Sequence, residues 1–328
     1  MPMTEVQRTD PRIELHVHLE GAIRPATLLD IARRNGERLP ADTVEGLTRL
    51  YEFTDFKHFI EVWILTTNCL RTADDFRQVV VDYAAEAAGF GAVYLEGIFS
   101  PPERVLRGVG WDEIFTGYAD GAQEAAERYG VTVRFTPDIF RNGCPTELAE
   151  ECARVAVRYA DRGVVGIGMG GYEPGAPLTP YRRAFEIARD GGLGFVPHAG
   201  EAAGAESIRE ALDLGAVRLR HGIRAAESPD LLAEIVERGV VLDVCPTSNL
   251  RTGVVRDLAE HPLPRLREAG ALCTINTDDP AMFNTDLGTE YEVAAKLGVT
   301  AAEAYAAGVV GALCDAKTRR RLAALAPA

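Results

Sequence analysis

Short apolar runs rich in β-branched residues alternate along this chain with longer stretches that are apolar every third or fourth position. Eight such runs stand out: Arg12–Leu19, Ala92–Ser100, Val131–Ile139, Val164–Gly171, Gly194–Glu201, Arg218–Ile223, Val240–Asn249 and Leu272–Asp279. Strands separated by helices return through crossovers, which makes their pairing parallel. Eight β–α units predict an α/β fold of one kind, a TIM (β/α)8 barrel. The helical stretches are punctuated accordingly. "TADDFRQVVVDYAAEAAGFG" opens on a capping threonine, Thr72, has Asp74 and Asp75 in its first turn and stops at glycine. No Pro/Ser/Gly-rich linker breaks the rhythm, so residues 1–328 are expected to form a single barrel domain.

One segment does not follow the rhythm. The stretch between the first and second strands is too long for one crossover helix. Within it Phe53, Phe56, Phe59, Ile60 and Trp63 recur at helical spacing. They predict a helical insertion whose apolar face packs on the barrel. Its place in a βα connection would also let it cover the barrel mouth as a lid.

Composition narrows the partners. With 49 acidic against 35 basic residues the net charge is -14, which repels nucleic acid and anionic membranes. A small-molecule substrate is expected, with neither nucleic acid nor membrane as partner; a homo-oligomer is possible. The six cysteines have no CxxC pairing, which fits reduced thiols and a cytoplasmic location. "MPMTEVQRTDPR" carries no apolar run, so no signal peptide is expected.

Active sites of such barrels lie where the strands end. The first strand brings His16 and His18, two residues apart and so on one face. Taken alone, a His-x-His pair is as readily two ordinary polar residues as a metal pair. The fifth strand ends in "PHAGE", with His198 and Glu201; the sixth carries His221; the eighth ends in "NTDDP", with Asp278 and Asp279. Four of the six histidines therefore sit at strand ends. His16, His18, His198 and Asp278 make a suitable ligand set for Zn²⁺ with room for a water, and zinc brings the pKa of such a water toward ~7. Glu201 and His221 remain for proton transfer. Lys57, Lys296 and Lys317 are the only lysines and none lies on a candidate strand, so no lysine bridges two metals and one Zn²⁺ per chain is expected. Cys245 is expected in the barrel wall.

In this order, "ELHVHLEGAIRP", "HAGE", "HG", "CPTSN" and "NTDDP" resemble the adenosine deaminase family of the amidohydrolase superfamily, from Glu14 to about residue 317. The resemblance implies zinc-dependent hydrolytic deamination of a 6-aminopurine nucleoside, adenosine first. Carried over by motif, His16, His18, His198 and Asp278 match the metal ligands. Glu201 matches the acid that protonates purine N1, and His221 the histidine that orients the zinc-bound water and assists its deprotonation. Asp279 matches the carboxylate near N7, and Gly171 the glycine whose N–H meets N3.

Two motifs depart from the adenosine pattern. Glu20 stands where many adenosine deaminases have the aspartate that holds the ribose 5′-hydroxyl, so Glu20 is expected to bind substrate there. The fourth strand reads "GIGMGGYE", with Gly168 and Tyr172 in place of acids. Alternatives are therefore adenine or 6-amino-6-deoxyfutalosine as substrate. The carboxylate of the latter would want a cation at the mouth, for which Arg24 is a candidate beside its plainer reading as a solvated residue at a helix start. Another mononuclear amidohydrolase activity, or a catalytically inactive barrel acting as a binding protein, completes the range.

Overall fold

The computed structural model describes residues 10–53 and 56–327, and nothing is said of the Phe56 side chain. The expected barrel is present. Its eight strands are β1 (Arg12–His18), β2 (Ala92–Ile98), β3 (Thr132–Phe135 and Asp138–Phe140), β4 (Gly166–Gly170), β5 (Gly194–Phe195 and His198–Ala199), β6 (Arg218–His221), β7 (Val241–Val244) and β8 (Cys273–Ile275). Successive strands pair in parallel around the ring.

β3 and β5 are each in two pieces, split at Pro137 and Pro197, where the sequence reading ran straight through. Proline has no N–H to give to the ladder. Its carbonyl still accepts: Gly168 N–H reaches Pro137 O at 2.9 Å and Arg220 N–H reaches Pro197 O at 3.0 Å. The strand direction survives the interruption.

The ring closes between β1 and the segment after β8. His18 N–H donates to Asp278 O at 2.7 Å and Asp278 N–H to His16 O at 3.1 Å. A deeper side-chain contact supports the seam, with Leu15 N–H donating to Asn276 Oδ1 at 2.7 Å.

The barrel interior is polar as well as aliphatic. Arg218 bridges Glu96 at 2.6 Å and Asp243 at 2.7 Å, all fully enclosed. Arg220 pairs with Asp138 one layer above. This pair accounts for the glycine at position 168 of β4: a Cβ there would run into both the Asp138 carboxylate and the Arg220 guanidinium.

The insertion between β1 and β2 holds four helices, Pro25–Asn35, Val44–Leu50, Phe56–Thr67 and Ala73–Gly89. The last has the expected start, with Thr72 and Asp75 forming a reciprocal capping box. On the third, Phe59, Val62 and Trp63 pack with Tyr51, Met282 and Phe283. Among the described residues no single helix is long and apolar enough to cross a membrane.

Candidate active site and metal centre

His16 and His18 lie on β1 and its end, His198 opens the second piece of β5, His221 ends β6, and Asp278 and Asp279 follow β8. All six are buried. His221 and Asp278 have positive φ, 59° and 64°, a region that residues other than glycine seldom adopt and that costs about 1–3 kcal/mol. The turn this makes possible brings both side chains back over the strand ends.

His16 Nε2 is 3.3 Å from Asp278 Oδ1, His18 Nε2 is 3.4 Å from the same oxygen, and His18 Nε2 is 3.2 Å from His198 Nε2. A tetrahedral zinc ion with bonds of about 2.0–2.1 Å sets its donor atoms roughly 3.3–3.4 Å apart. The donors also point the right way. His198 Nδ1–H is taken by Met169 O at 2.9 Å, which leaves a lone pair on Nε2. His16 Nε2 is buried with no hydrogen-bond partner. Burial holds His18 and His198 well below the usual imidazole range, so both are neutral. Ser248 Oγ–H donates to Asp278 Oδ2 at 2.6 Å, leaving Oδ1 for the ion. His16, His18, His198 and Asp278 therefore fit a single divalent ion of the zinc type.

The donor atoms that lie within 4.8 Å of one another are those of His16, His198, His221 and Asp278, with His18, Asp278 and Asp279 forming a second such group. Distance alone would admit His221 in place of His18, and it is the hydrogen bonds of His221 that give it a different part. Leu263 N–H donates to His261 Nδ1 at 3.1 Å, so His261 carries its proton on Nε2. That proton goes to Asn249 Oδ1 at 3.2 Å, and Asn249 Nδ2–H then donates to His221 Nδ1 at 3.2 Å. Neutral His221 is left with its proton on Nε2, facing Glu201 and Asp278 at 3.6 Å each. A nitrogen carrying a proton does not ligate a metal; it donates a hydrogen bond. Burial lowers the His221 pKa to about 3, so it is not doubly protonated.

Glu201 faces the same space. Burial, with Asp278 and Glu173 adding, pushes its carboxyl well above the usual range and keeps it protonated. Its loop is held from below by Glu173, whose carboxylate accepts the N–H groups of Gly200, Glu201, Ala202 and Ala203 and the hydroxyl of Ser207. Asp279 is likewise pushed up, by burial and by its neighbour Asp278. Trp63 Nε1–H donates to its Oδ1 at 3.0 Å. Gly21 makes room for it, since a Cβ there would collide with the Asp279 carboxylate.

These groups line one end of a cavity of about 880 Å³. Gly171, at φ 102°, forms part of the wall. Phe59, Ile60, Trp63 and Ile64 of the insertion cover it from above, with Phe283 beside them. The insertion thus both packs on the barrel and roofs the site. Lys57, Arg104 and Arg107 also line the cavity. Arg24 does not: it is held by Glu86, by Thr285 O at 3.1 Å and by Pro280 O at 3.3 Å. Glu20 is buried behind the wall, where Oε1 accepts Ser100 N–H at 2.8 Å. Cys245 is in the barrel wall as expected, its Sγ 3.4 Å from His16 Nδ1.

Sequence reading did not assign parts to Glu173, Ser248, Asn249, His261 or Arg104. Ser248 and Asn249 lay within a quoted motif. A histidine before proline, His261, offered no signal of its own.

The family model described as adenosine deaminase matches residues 11–326. An aminodeoxyfutalosine deaminase from Acidothermus cellulolyticus is 58% identical over 95% of this chain and 90% of its own. An adenine deaminase from Rhizobium leguminosarum bv. trifolii is 37% identical over 95% of this chain and 98% of its own. Among solved structures, an adenine deaminase from Arthrobacter aurescens superposes with a TM-score of 0.91 at 31% identity, covering 97% of this chain and 98% of that one.

Proposed function

Since the chain belongs to the adenosine deaminase family of metal-dependent hydrolases, we propose that it deaminates a 6-aminopurine carrying a large substituent, with 6-amino-6-deoxyfutalosine the first candidate. One observation carries this reading: the cavity continues well beyond the catalytic cluster. At about 880 Å³ it lies near the upper end of the range of about 300–1,000 Å³ for small-molecule sites, far more than a free base needs. Its apolar roof suits an aryl group, and Lys57 and Arg107, which both line it, suit a carboxylate. The relative at 58% identity bears the name of that activity. Adenosine, the first expectation from the sequence, gives way, because the named relatives are aminodeoxyfutalosine and adenine deaminases. Adenine is the second reading, favoured by the relative at 37% identity.

The reaction is a hydrolysis. Water adds at C6 of the purine, the C6–N bond breaks, and ammonia leaves a 6-oxopurine. Bound zinc would supply a water that is nucleophilic at neutral pH. Glu201, protonated in this setting, is placed to give its proton to N1 as the ring loses aromaticity; its carboxylate then takes one proton of the adding water, and the other leaves with the amino group as ammonia. His221 is placed to orient the water through Nε2. Asp279, held by Trp63, shares a hydrogen bond with N7, and Gly171 N–H meets N3. Ammonia release from adenine, adenosine and aminodeoxyfutalosine, compared by kcat/KM, tests the reading. A value for adenine above that for aminodeoxyfutalosine overturns the choice of substrate and leaves the chemistry in place.

A further inference from the structure

The cavity wall carries an unusual pair. Arg104 is 1% exposed, yet Nε, Nη1 and Nη2 all lack a hydrogen-bond partner. Its neighbour in the chain, Glu103, has Oε2 buried and equally unpartnered. The two side chains are 3.7 Å apart, Nη2 to Oε2, too far for a direct hydrogen bond. Burying a guanidinium without partners costs several kcal/mol, and native proteins satisfy such groups with something. Both residues line the cavity. Arg104 also lies 5.9 Å from the ring centre of Trp63, the residue that holds Asp279. The pair therefore shares the cavity with the catalytic cluster and lies beside the residue that holds Asp279.

We propose that Glu103 and Arg104 form a hydroxyl clamp that binds the sugar of a purine nucleoside. This deepens the deaminase reading and rests on it for the position of the base. Complementarity selects the ligand. A sugar hydroxyl donates its proton to Glu103 Oε2 while an oxygen of the same or the adjacent hydroxyl accepts from the Arg104 guanidinium. Two carboxyls, Glu103 and Glu20, share this one cation, so an anionic group gains no net attraction here. Burial raises both carboxyls to about 7, with Arg104 drawing them back down. Glu20 also has an unpartnered buried oxygen, Oε2, but it does not line the cavity, so the sugar contact falls to Glu103.

The test compares binding of two 6-oxopurines, inosine and hypoxanthine, to metal-loaded protein by calorimetry. Wild type is expected to bind inosine more tightly. Arg104→Met should weaken inosine by about 10- to 100-fold, the range for hydrogen bonds to a charged group, and leave hypoxanthine unchanged. Its Tm should hold or rise, since no native partner is lost. Should Arg104→Met fold poorly, Glu103→Gln provides the same comparison with a smaller change of shape. Equal weakening of both ligands together with a fall in Tm makes the pair structural and overturns the proposal. Equal affinity of wild type for inosine and hypoxanthine overturns it too, whatever the deaminase assays show. Preserved discrimination with no ammonia release from any 6-aminopurine overturns the deaminase reading instead and leaves the clamp standing.

Discussion

Nε2 of His261 lies 3.2 Å from Oδ1 of Asn249, and this contact settles which nitrogen of His221 carries the proton. The Leu263 backbone N–H can only donate, which fixes the proton on each group from His261 through Asn249 to His221. Asn249→Asp would put an acceptor opposite His221 Nδ1 and draw the proton there. Turnover is expected to fall by about 2- to 10-fold, as when one hydrogen bond that orients the water is lost, with zinc content unchanged. The ¹⁵N shifts of His221 report the tautomer directly. Retention of near-normal turnover with the proton moved to Nδ1 would remove this part for His221.

Glu201→Gln should keep the metal and lose about 10²–10⁴-fold in kcat. The amide preserves shape but has no acid proton to give. The sign of the pH dependence follows from the raised pKa of Glu201. The protonated acid is the active form, so kcat/KM falls as pH rises through that pKa, and the alkaline limb should be absent from the residual activity of the variant. A pH profile of both proteins checks this, and an unchanged limb would assign it to another group.

Metal analysis of protein purified without chelator should give about one zinc per chain. A content near two contradicts the four-donor site. His16→Ala should bind the metal far more weakly, because three donors remain and the metal affinity is coupled to the geometry of the whole set. Chelation should lower Tm, since a ligand bound only to the folded state stabilises it.

Glu173→Ala tests whether the Glu201 loop is positioned from below. Four backbone N–H groups and a serine hydroxyl lose their shared acceptor. A hydrogen bond to a charged group is worth about 1.5–3 kcal/mol, so denaturant melts should show a loss of at least that size. Zinc content should stay near one while kcat falls. Loss of zinc in step with activity would place Glu173 with the metal rather than with the acid.

The barrel and its metal cluster were legible in the sequence for a physical reason. Parallel strands buried on both faces read as apolar runs, and histidines in such runs stand out. His16, His18, His198 and Asp278 are conspicuous because nothing in a core needs them. Their supports are not. Asn249 and His261 gain meaning only when β6 and β7 are adjacent, and no period in the sequence encodes that pairing. Arg24 and Arg104 illustrate the same limit. Both precede or follow proline near a helix start, yet one is consumed by Glu86 and the other faces the cavity. The splits at Pro137 and Pro197 were legible in principle, because proline lacks the donor a strand uses.

Asp278 supplies a carboxylate to the metal cluster and, through its backbone, seals the barrel against β1. The groups that meet at that seam are among the most distant in the chain: Leu15 and Asn276 are separated by 261 positions. Contacts between such remote segments form late, because the entropy of closing so long a loop must be met first. The four-donor set therefore comes together only when the segment after β8 docks against β1. Zinc uptake becomes a timestamp for completion of the ring, and a chromophoric chelator that competes for the ion could follow the last step of refolding while the helices are already formed.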